Sequence, residues 1–192
     1  MHGDLCYLLF TSGTTGKPKG VPIYYRNLAA FLDMMLESGR YDFNRNDRFL
    51  QMFELTFDLS VFSFLVPLSV GASFYPIPQK GMAYLEVADI LETREITVAL
   101  MVPSVINYLK PYFREMNLPK MRYSLFCGEA LYHDTLSSWA TCVPHAKIEN
   151  LYGPTEATIF CLRYEWQLGE SPHPQGKGIV PIGRPMEGMD AF

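Results

Sequence analysis

Apolar and polar positions along the chain fall into two kinds of block: short apolar runs of strand length, and longer stretches at helical spacing. Residues 5–10 form a short apolar run containing aromatic residues. Residues 25–37 carry Leu28, Phe31, Leu32, Met35 and Leu36 at helical spacing, with Gly39 as a stop signal. Residues 49–53 read as a strand. Residues 58–70 are apolar almost all round, as a buried helix would be. Ser60, Ser63 and Pro67 make the only polar stripe of that helix, and Pro67 frees the Ser63 carbonyl. Gly71 closes it, and residues 72–75 predict a strand ended by Pro76 and Pro78. Residues 84–94 then give an amphipathic helix and 97–102 a β-rich run. Residues 104–113 give a helix with Pro103 near its start and Pro111 ending or kinking it. Strands over 123–127 and 146–151 flank a helix over 132–141, and 158–163 adds one more extended piece.

Strand–helix alternation with helical crossovers predicts an α/β fold, a mostly parallel sheet covered by helices on both faces. Ligands on such sheets gather at the carboxyl ends of the strands, and each motif described below begins where a strand stops. Residues 169–177 are polar and rich in Pro and Gly, as in a surface loop or connection. The expected organisation is therefore a central α/β part over 1–168. Residues 169–192 follow as a loop and the start of a further β segment around 182–186.

Composition narrows the function classes. The 192 residues are 48% hydrophobic and 19% charged, ordinary for a soluble globular protein. A net charge of −4 provides no electrostatic case for nucleic acid or an anionic membrane. Cys6, Cys127, Cys142 and Cys161 are widely spaced, which suits buried free thiols of a reducing compartment. His2, His133, His145 and His173 show no ligand spacing, so no metal site of Cys and His is expected. No apolar run approaches the roughly 18 residues that span a bilayer. The amino-terminal residues do not have the pattern of a secretory leader. A cytoplasmic location is the default expectation.

The residues that follow the first strand change character abruptly. Hydroxyls at Thr11, Ser12, Thr14 and Thr15 alternate with glycines at Gly13, Gly16 and Gly20 and lysines at Lys17 and Lys19. Such a segment cannot contribute to a core. It is either a Gly/Ser/Thr surface hairpin or a phosphate cradle. In a cradle, glycine amides and hydroxyls donate to anionic oxygens and the lysines neutralise charge. The Walker A spacing Gly-x-x-x-x-Gly-Lys-[Ser/Thr] is absent, and Pro18 stands where that motif needs a hydroxyl.

The run Thr-Ser-Gly-Thr-Thr-Gly-Lys-Pro-Lys-Gly at 11–20 resembles the signature loop of the adenylate-forming enzymes. These include acyl- and aryl-CoA synthetases, firefly luciferase and amino-acid adenylation domains. The resemblance implies that the loop holds the β- and γ-phosphates of ATP, with Lys19 touching the phosphates.

Three further motifs carry local and functional alternatives. Tyr152-Gly153-Pro154-Thr155-Glu156 by itself is a Gly-Pro turn with a solvated carboxylate. The functional alternative stacks an aromatic face on a base, bonds a phosphate oxygen and holds magnesium on phosphates. With Asn150, Leu151, Ala157 and Thr158 it resembles the second family signature. There Tyr152 would stack on adenine, Thr155 contact the α-phosphate and Glu156 lie by Mg2+. Asp58 is either the N-cap of the buried helix or an anion awaiting a substrate ammonium among Phe57, Leu59 and Phe62. Phe57-Asp58-Leu59-Ser60 resembles the pattern of amino-acid-activating members, whose Asp binds the α-amino group. Leu125-Phe126-Cys127-Gly128-Glu129-Ala130 as a bare pattern is a strand, a turn and a helix start. In the family, Gly128, Glu129 and Ala130 would form one wall of the adenine pocket, largely through backbone.

Phe57-Asp58-Leu59-Ser60 together with Leu125-Phe126-Cys127-Gly128-Glu129 is most similar to the D-alanine–carrier protein ligases. Family pocket positions carry over to Asp58, Leu59, Phe62, Leu100, Leu125, Cys127, Leu151, Ile159 and Phe160. Only Asp58 among them is charged, and Phe62 and Phe160 would fill space, so a small or apolar side chain is implied.

The implied reaction is activation of an amino-acid carboxylate by ATP to aminoacyl-AMP and pyrophosphate. Transfer to the phosphopantetheine thiol of a carrier protein follows. Catalysis is by positioning and charge neutralisation, through Lys19, Thr155 and Glu156, with no covalent nucleophile. Family members are longer. They continue to a Thr-Gly-Asp motif and a mobile carboxyl-terminal domain that delivers a lysine. The chain is therefore expected to be an internal fragment with very low adenylation activity alone. Two alternatives stand beside this reading. One is an acyl- or aryl-CoA synthetase, against which Asp58 argues; the other is an ATP-binding module without catalysis.

Overall fold

The computed structural model describes residues 3–12, 16–78, 83–169 and 178–190. The chain opens with an antiparallel ribbon of β1 (Leu5–Thr11) and β2 (Lys19–Tyr24), in which Thr11 pairs with Lys19 at the loop end. Helix α1 (Tyr25–Leu36) follows directly, and its Leu28, Phe31, Met34 and Met35 are buried. The main sheet begins with β3 (Arg48–Gln51), and helix α2 (Leu59–Ser69) leads to β4 (Ser73–Pro76). Helix α3 (Ala83–Thr93) connects to β5 (Val98–Met101), helix α4 (Pro103–Leu109) to β6 (Tyr123–Phe126), and helix α5 (His133–Ala140) to β7 (Lys147–Tyr152). Strands β8 (Leu162–Trp166) and β9 (Arg184–Pro185) complete the sheet.

The seven strands lie in the order β4-β3-β5-β6-β7-β8-β9. Pairing is parallel from β4 to β7, and β8 and β9 add on antiparallel. Side chains that alternate along each strand feed two separate cores, one per face. Val98, Leu100, Tyr123, Leu125 and Leu151 join Phe31, Met35, Phe62 and Val66 beneath α1 and α2. Ala99, Met101, Phe126 and Ile148 join Leu91, Ile106, Leu109 and Trp139 beneath α3, α4 and α5. The one polar residue within β6, Ser124, accepts a hydrogen bond from the Trp139 indole at 2.9 Å, so its burial leaves no unpaired group there.

Two buried charges are paired away from the sheet's carboxyl edge. Asp47 takes the Arg122 guanidinium at 2.8 Å and the Thr97 hydroxyl at 2.6 Å. Glu149 accepts from Tyr41 and from Arg163 at 3.2 Å, with the Lys147 ammonium 3.4 Å away. Burial first, and then the Glu149 charge, push the Tyr41 pKa well above its ordinary value.

The predicted helices and the five parallel strands are present, displaced by a few residues at their ends. Pro103 occupies the first turn of α4, and the helix tightens to a 3-10 turn at Lys110–Tyr112 around Pro111. Other expectations are corrected. Strand β2 was not anticipated: Pro22 interrupts it, and only Val21 and Ile23 point inward. The polar stripe of α2 is buried, with the Ser63 hydroxyl donating to the Leu59 carbonyl at 3.1 Å. The piece expected to be extended over 158–163 is not so at its start. Thr158 and Ile159 are left-handed at φ 63° and 75°, and the strand begins only at Leu162. The connection expected over 169–177 lies, after Gly169, outside the described residues.

Candidate active site

The parallel strand order reverses direction between β3 and β5, with the first crossover helix, α2, on one face and the next three on the other. The carboxyl edge at such a reversal is where open α/β sheets bind ligands, because the diverging loops leave a crevice. The connections after β3, β6 and β7 all leave that edge and carry Asp58, Gly128 and the segment from Tyr152 to Glu156.

Asp58 sits immediately before α2 with helical backbone angles, φ −63° and ψ −28°, and makes no side-chain capping hydrogen bond. Asp58 thus holds the N-cap position of α2 without a capping hydrogen bond from its side chain. Its carboxylate is half-buried and faces the Thr155 hydroxyl instead. Burial raises its pKa above the ordinary 3.8, Thr155 and the Leu59 backbone offset part of that rise, and the nearby Glu156 charge adds to it. The Cys127 thiol is pushed up to about 12 by burial and then by the Asp58 charge. Asp58, Cys127, Thr155 and Glu156, from three connections, therefore share one electrostatic neighbourhood.

Next to Asp58 in the chain, Leu59 enters an apolar core. Leu59, Phe62, Leu100, Leu125, Cys127, Leu151, Ile159 and Phe160 all belong to the core beneath α1 and α2. Phe160 is wedged between Phe31, at a ring-centroid distance of 5.2 Å, and Phe62, at 5.8 Å.

The segment after β7 is bent back on itself. A 3-10 turn covers Thr155–Ala157, two left-handed residues follow, and the Cys161 amide returns to the Tyr152 carbonyl at 2.9 Å. Left-handed β-branched residues cost about 1–3 kcal/mol each and persist where surrounding packing over-determines them. That packing is visible here: a β-carbon on Gly153 would stand 3.0 Å from both the Cys161 nitrogen and the Ile159 oxygen and would overlap the Phe160 backbone. Gly153 is needed for close approach, a reason that its place in a Gly-Pro turn does not reveal. Gly128 is needed for its left-handed φ of 94°, and it lies within van der Waals reach of Leu59 and Val102. The Glu129 side chain turns aside, accepting from the Ser104 amide at 2.8 Å and its hydroxyl at 3.1 Å, at the start of α4. Gly128, Glu129 and Ala130 are exposed along this rim, and Tyr152 presents its ring at 47% exposure.

The ribbon meets this edge from the other side. Strand β2, which Lys19 opens, lies against the 3-10 turn Thr155–Ala157. The strand that leaves the first signature thus touches the turn that carries Thr155 and Glu156. Thr11, Ser12, Gly16, Lys17, Lys19 and Gly20 flank the loop, Gly16 with φ 80° in open space; Gly13, Thr14 and Thr15 lie outside the described residues.

Residues 2–192 match the AMP-binding enzyme family. The chain belongs to that family. It is 37% identical over 167 residues to the D-alanine–D-alanyl carrier protein ligase of Lactiplantibacillus plantarum, covering 84% of this chain and 32% of that protein. The crystal structure of IdnL7 superposes with a TM-score of 0.86 at 37% identity, over 98% of this chain and 37% of that one. The Vibrio cholerae adenylation domain AlmE, in complex with glycyl-adenosine-5'-phosphate, gives a TM-score of 0.85 at 35% identity, over 97% and 34%. The chain spans about a third of the length of these relatives.

Among AMP-binding enzymes this donor set fits a magnesium ion that arrives on phosphates. Glu156 is an exposed carboxylate beside a threonine hydroxyl, and no cluster of three or more His, Cys, Asp or Glu occurs among the described residues. Magnesium keeps most of its waters and phosphate ligands and needs only one or two protein carboxylates. Tyr7 of β1 was read from the sequence only as part of an apolar run. Burial first, and then the Asp58 charge, push its hydroxyl up to about 12. Its period-two phase with Thr11 was the available signal.

Proposed function

We propose that the protein is an AMP-forming ligase that activates a small amino acid. A carboxylate oxygen attacks the α-phosphorus of ATP, the α–β anhydride bond breaks, and pyrophosphate leaves. A carrier-protein phosphopantetheine thiol then takes the aminoacyl group, forming a thioester and releasing AMP.

The observation that carries this reading is Asp58, a single half-buried carboxylate held against Thr155 at the rim of an otherwise apolar wall. A desolvated anion calls for a cationic partner, and a substrate ammonium supplies one. The wall formed by Leu59, Phe62, Leu100, Leu125, Cys127, Leu151, Ile159 and Phe160 would receive the side chain. Phe62 and Phe160 would fill space there and favour a small one. On this reading Thr11 to Gly20 hold the departing phosphates and Lys19 neutralises them. Thr155 contacts the α-phosphate, Glu156 holds Mg2+, Tyr152 stacks on adenine, and the backbone of Gly128 to Ala130 closes the base pocket. The ion supplies charge neutralisation on the phosphates when bound. Residues 1–168 form the part of the domain that carries these groups.

Amino-acid-dependent ATP–pyrophosphate exchange by the full-length protein tests the proposal, with amino acids set against their deaminated analogues. Small amino acids should support exchange and deaminated acids should not. Asp58→Ala should lower kcat/KM for the amino acid about a hundredfold. Equal use of acids without an amino group would make the protein an acyl- or aryl-CoA synthetase. ATP binding with no adenylate from any acid would make it a binding module.

A further inference from the structure

Strands β7 and β8 pair antiparallel, and their connection over residues 153–161 carries Thr155 and Glu156. In most hairpins a tight turn of fixed type sets the register of the two strands. This connection is long and irregular, with Thr158 and Ile159 left-handed. The register therefore has to be held on the strands themselves.

The side chains that meet there are charged. Glu149 stands directly opposite Glu165, and Arg163 directly opposite Leu151, so Lys147, Glu149, Arg163 and Glu165 share one face. Two facing carboxylates repel. Arg163 lies 3.2 Å from Glu149 and 3.9 Å from Glu165, and Lys147 lies 3.4 Å and 3.3 Å from the same two. Each cation thus bridges both strands' carboxylates. The Tyr41 hydroxyl donates to the other Glu149 oxygen, and its ring is fixed by Phe43 at 5.0 Å and Tyr123 at 5.5 Å.

Glu149 is fully buried, beside Leu125 of β6 and two residues before Leu151 on the same face. Apolar residues of similar volume are commonly as stable as a buried ion pair, so stability alone does not call for a carboxylate there. What the charges add is registration. A one-residue slip of β8 would turn Arg163 and Glu165 to the opposite face and strip Glu149 of its partner.

We propose that Glu149 and Arg163, together with Tyr41, are positioning residues that lock β7 to β8 and thereby hold Thr155 and Glu156 at the nucleotide. Glu149 precedes Tyr152 by three residues, roughly 10 Å at strand rise, so it acts through the strand and not by contact. The inference rests on the ligase reading given above.

Two variants of the full-length protein test it by ATP–pyrophosphate exchange beside Tm. Arg163→Met strips one cation from buried Glu149 and should lower both Tm and kcat. The triple variant Tyr41→Phe/Glu149→Met/Arg163→Met removes the interacting groups together and leaves Lys147 to Glu165. Its Tm should return to that of wild type, while kcat stays about tenfold or more below it and the Mg2+ concentration for half-maximal rate rises. The preference for an amino acid over its deaminated analogue should persist, because Asp58 is untouched. A wild-type kcat in either variant overturns the inference. So does a kcat that merely follows Tm through both, which would make the network structural. If wild type exchanges normally and only these outcomes fail, the ligase reading stands without the lock. If wild type supports no amino-acid-dependent exchange, that reading fails and this inference with it.

Discussion

The rings of Phe62 and Phe160 meet at a centroid distance of 5.8 Å and an interplanar angle of 54°, both fully buried. One comes from the first crossover helix and the other from the folded-back segment after β7, so two independent elements are in direct contact there. Phe62→Leu should open room without removing the wall, at a cost of about 1–2 kcal/mol in stability. Exchange assays across a size series should show kcat/KM for larger aliphatic amino acids rising about tenfold relative to the smallest. An unchanged profile would place the size limit elsewhere.

Gly153→Ala tests the folded-back segment directly. The added methyl has no space against the backbone of Ile159, Phe160 and Cys161, and backbone cannot swing aside as a side-chain tip can. A loss of about 2–3 kcal/mol in urea unfolding is expected. Because Thr155 and Glu156 ride on this segment, kcat in the full-length protein should fall on the order of a hundredfold. A variant of wild-type stability and rate would show that the segment tolerates displacement.

The raised pKa of Asp58 makes a signed prediction. Its folded-state pKa lies above the ordinary 3.8, so in the interval between the two the folded protein binds more protons than the unfolded chain. The stabilisation is complete below 3.8 and is lost as pH rises through the folded pKa. Asp58→Asn, neutral at every pH, should therefore raise the Tm of the ligand-free protein at pH 7, and the gain should shrink to nothing at pH below about 3.8. Substrate binding has the opposite sense. KM for an amino acid should climb as pH falls through the Asp58 pKa, because the protonated acid no longer attracts an ammonium. A Tm for Asp58→Asn at or below wild type at pH 7 would contradict the burial argument.

Cys127 should be chemically quiet. With its thiol pushed up to about 12, the thiolate fraction at pH 8 is on the order of 10⁻⁴. Iodoacetamide should label half-buried Cys6 well before Cys127, which should react only after denaturation. Mass spectrometry of the alkylated peptides reads this out, and rapid native labelling of Cys127 would show that the pocket opens.

Local features were legible in the sequence because their causes are local. Helical spacing at Leu28, Phe31 and Met35, the apolar runs of the five parallel strands, and the effects of Pro103 and Pro111 follow from periodicity and ring geometry within a few residues. The two signature loops are likewise written in contiguous residues, and Asp58 stands out as the lone charge in an apolar stretch. Tertiary structure decided what depends on a distant neighbour. It turned Ser60 and Ser63 inward although polarity suggested a stripe of their own, and it carried β8 antiparallel after left-handed Thr158 and Ile159. It brought Asp58 to Thr155, and it buried the Tyr7 hydroxyl without a partner among the described residues. No pattern within a window of the chain encodes which faces of separate elements meet, because that is fixed by the packing of the whole sheet and its two cores.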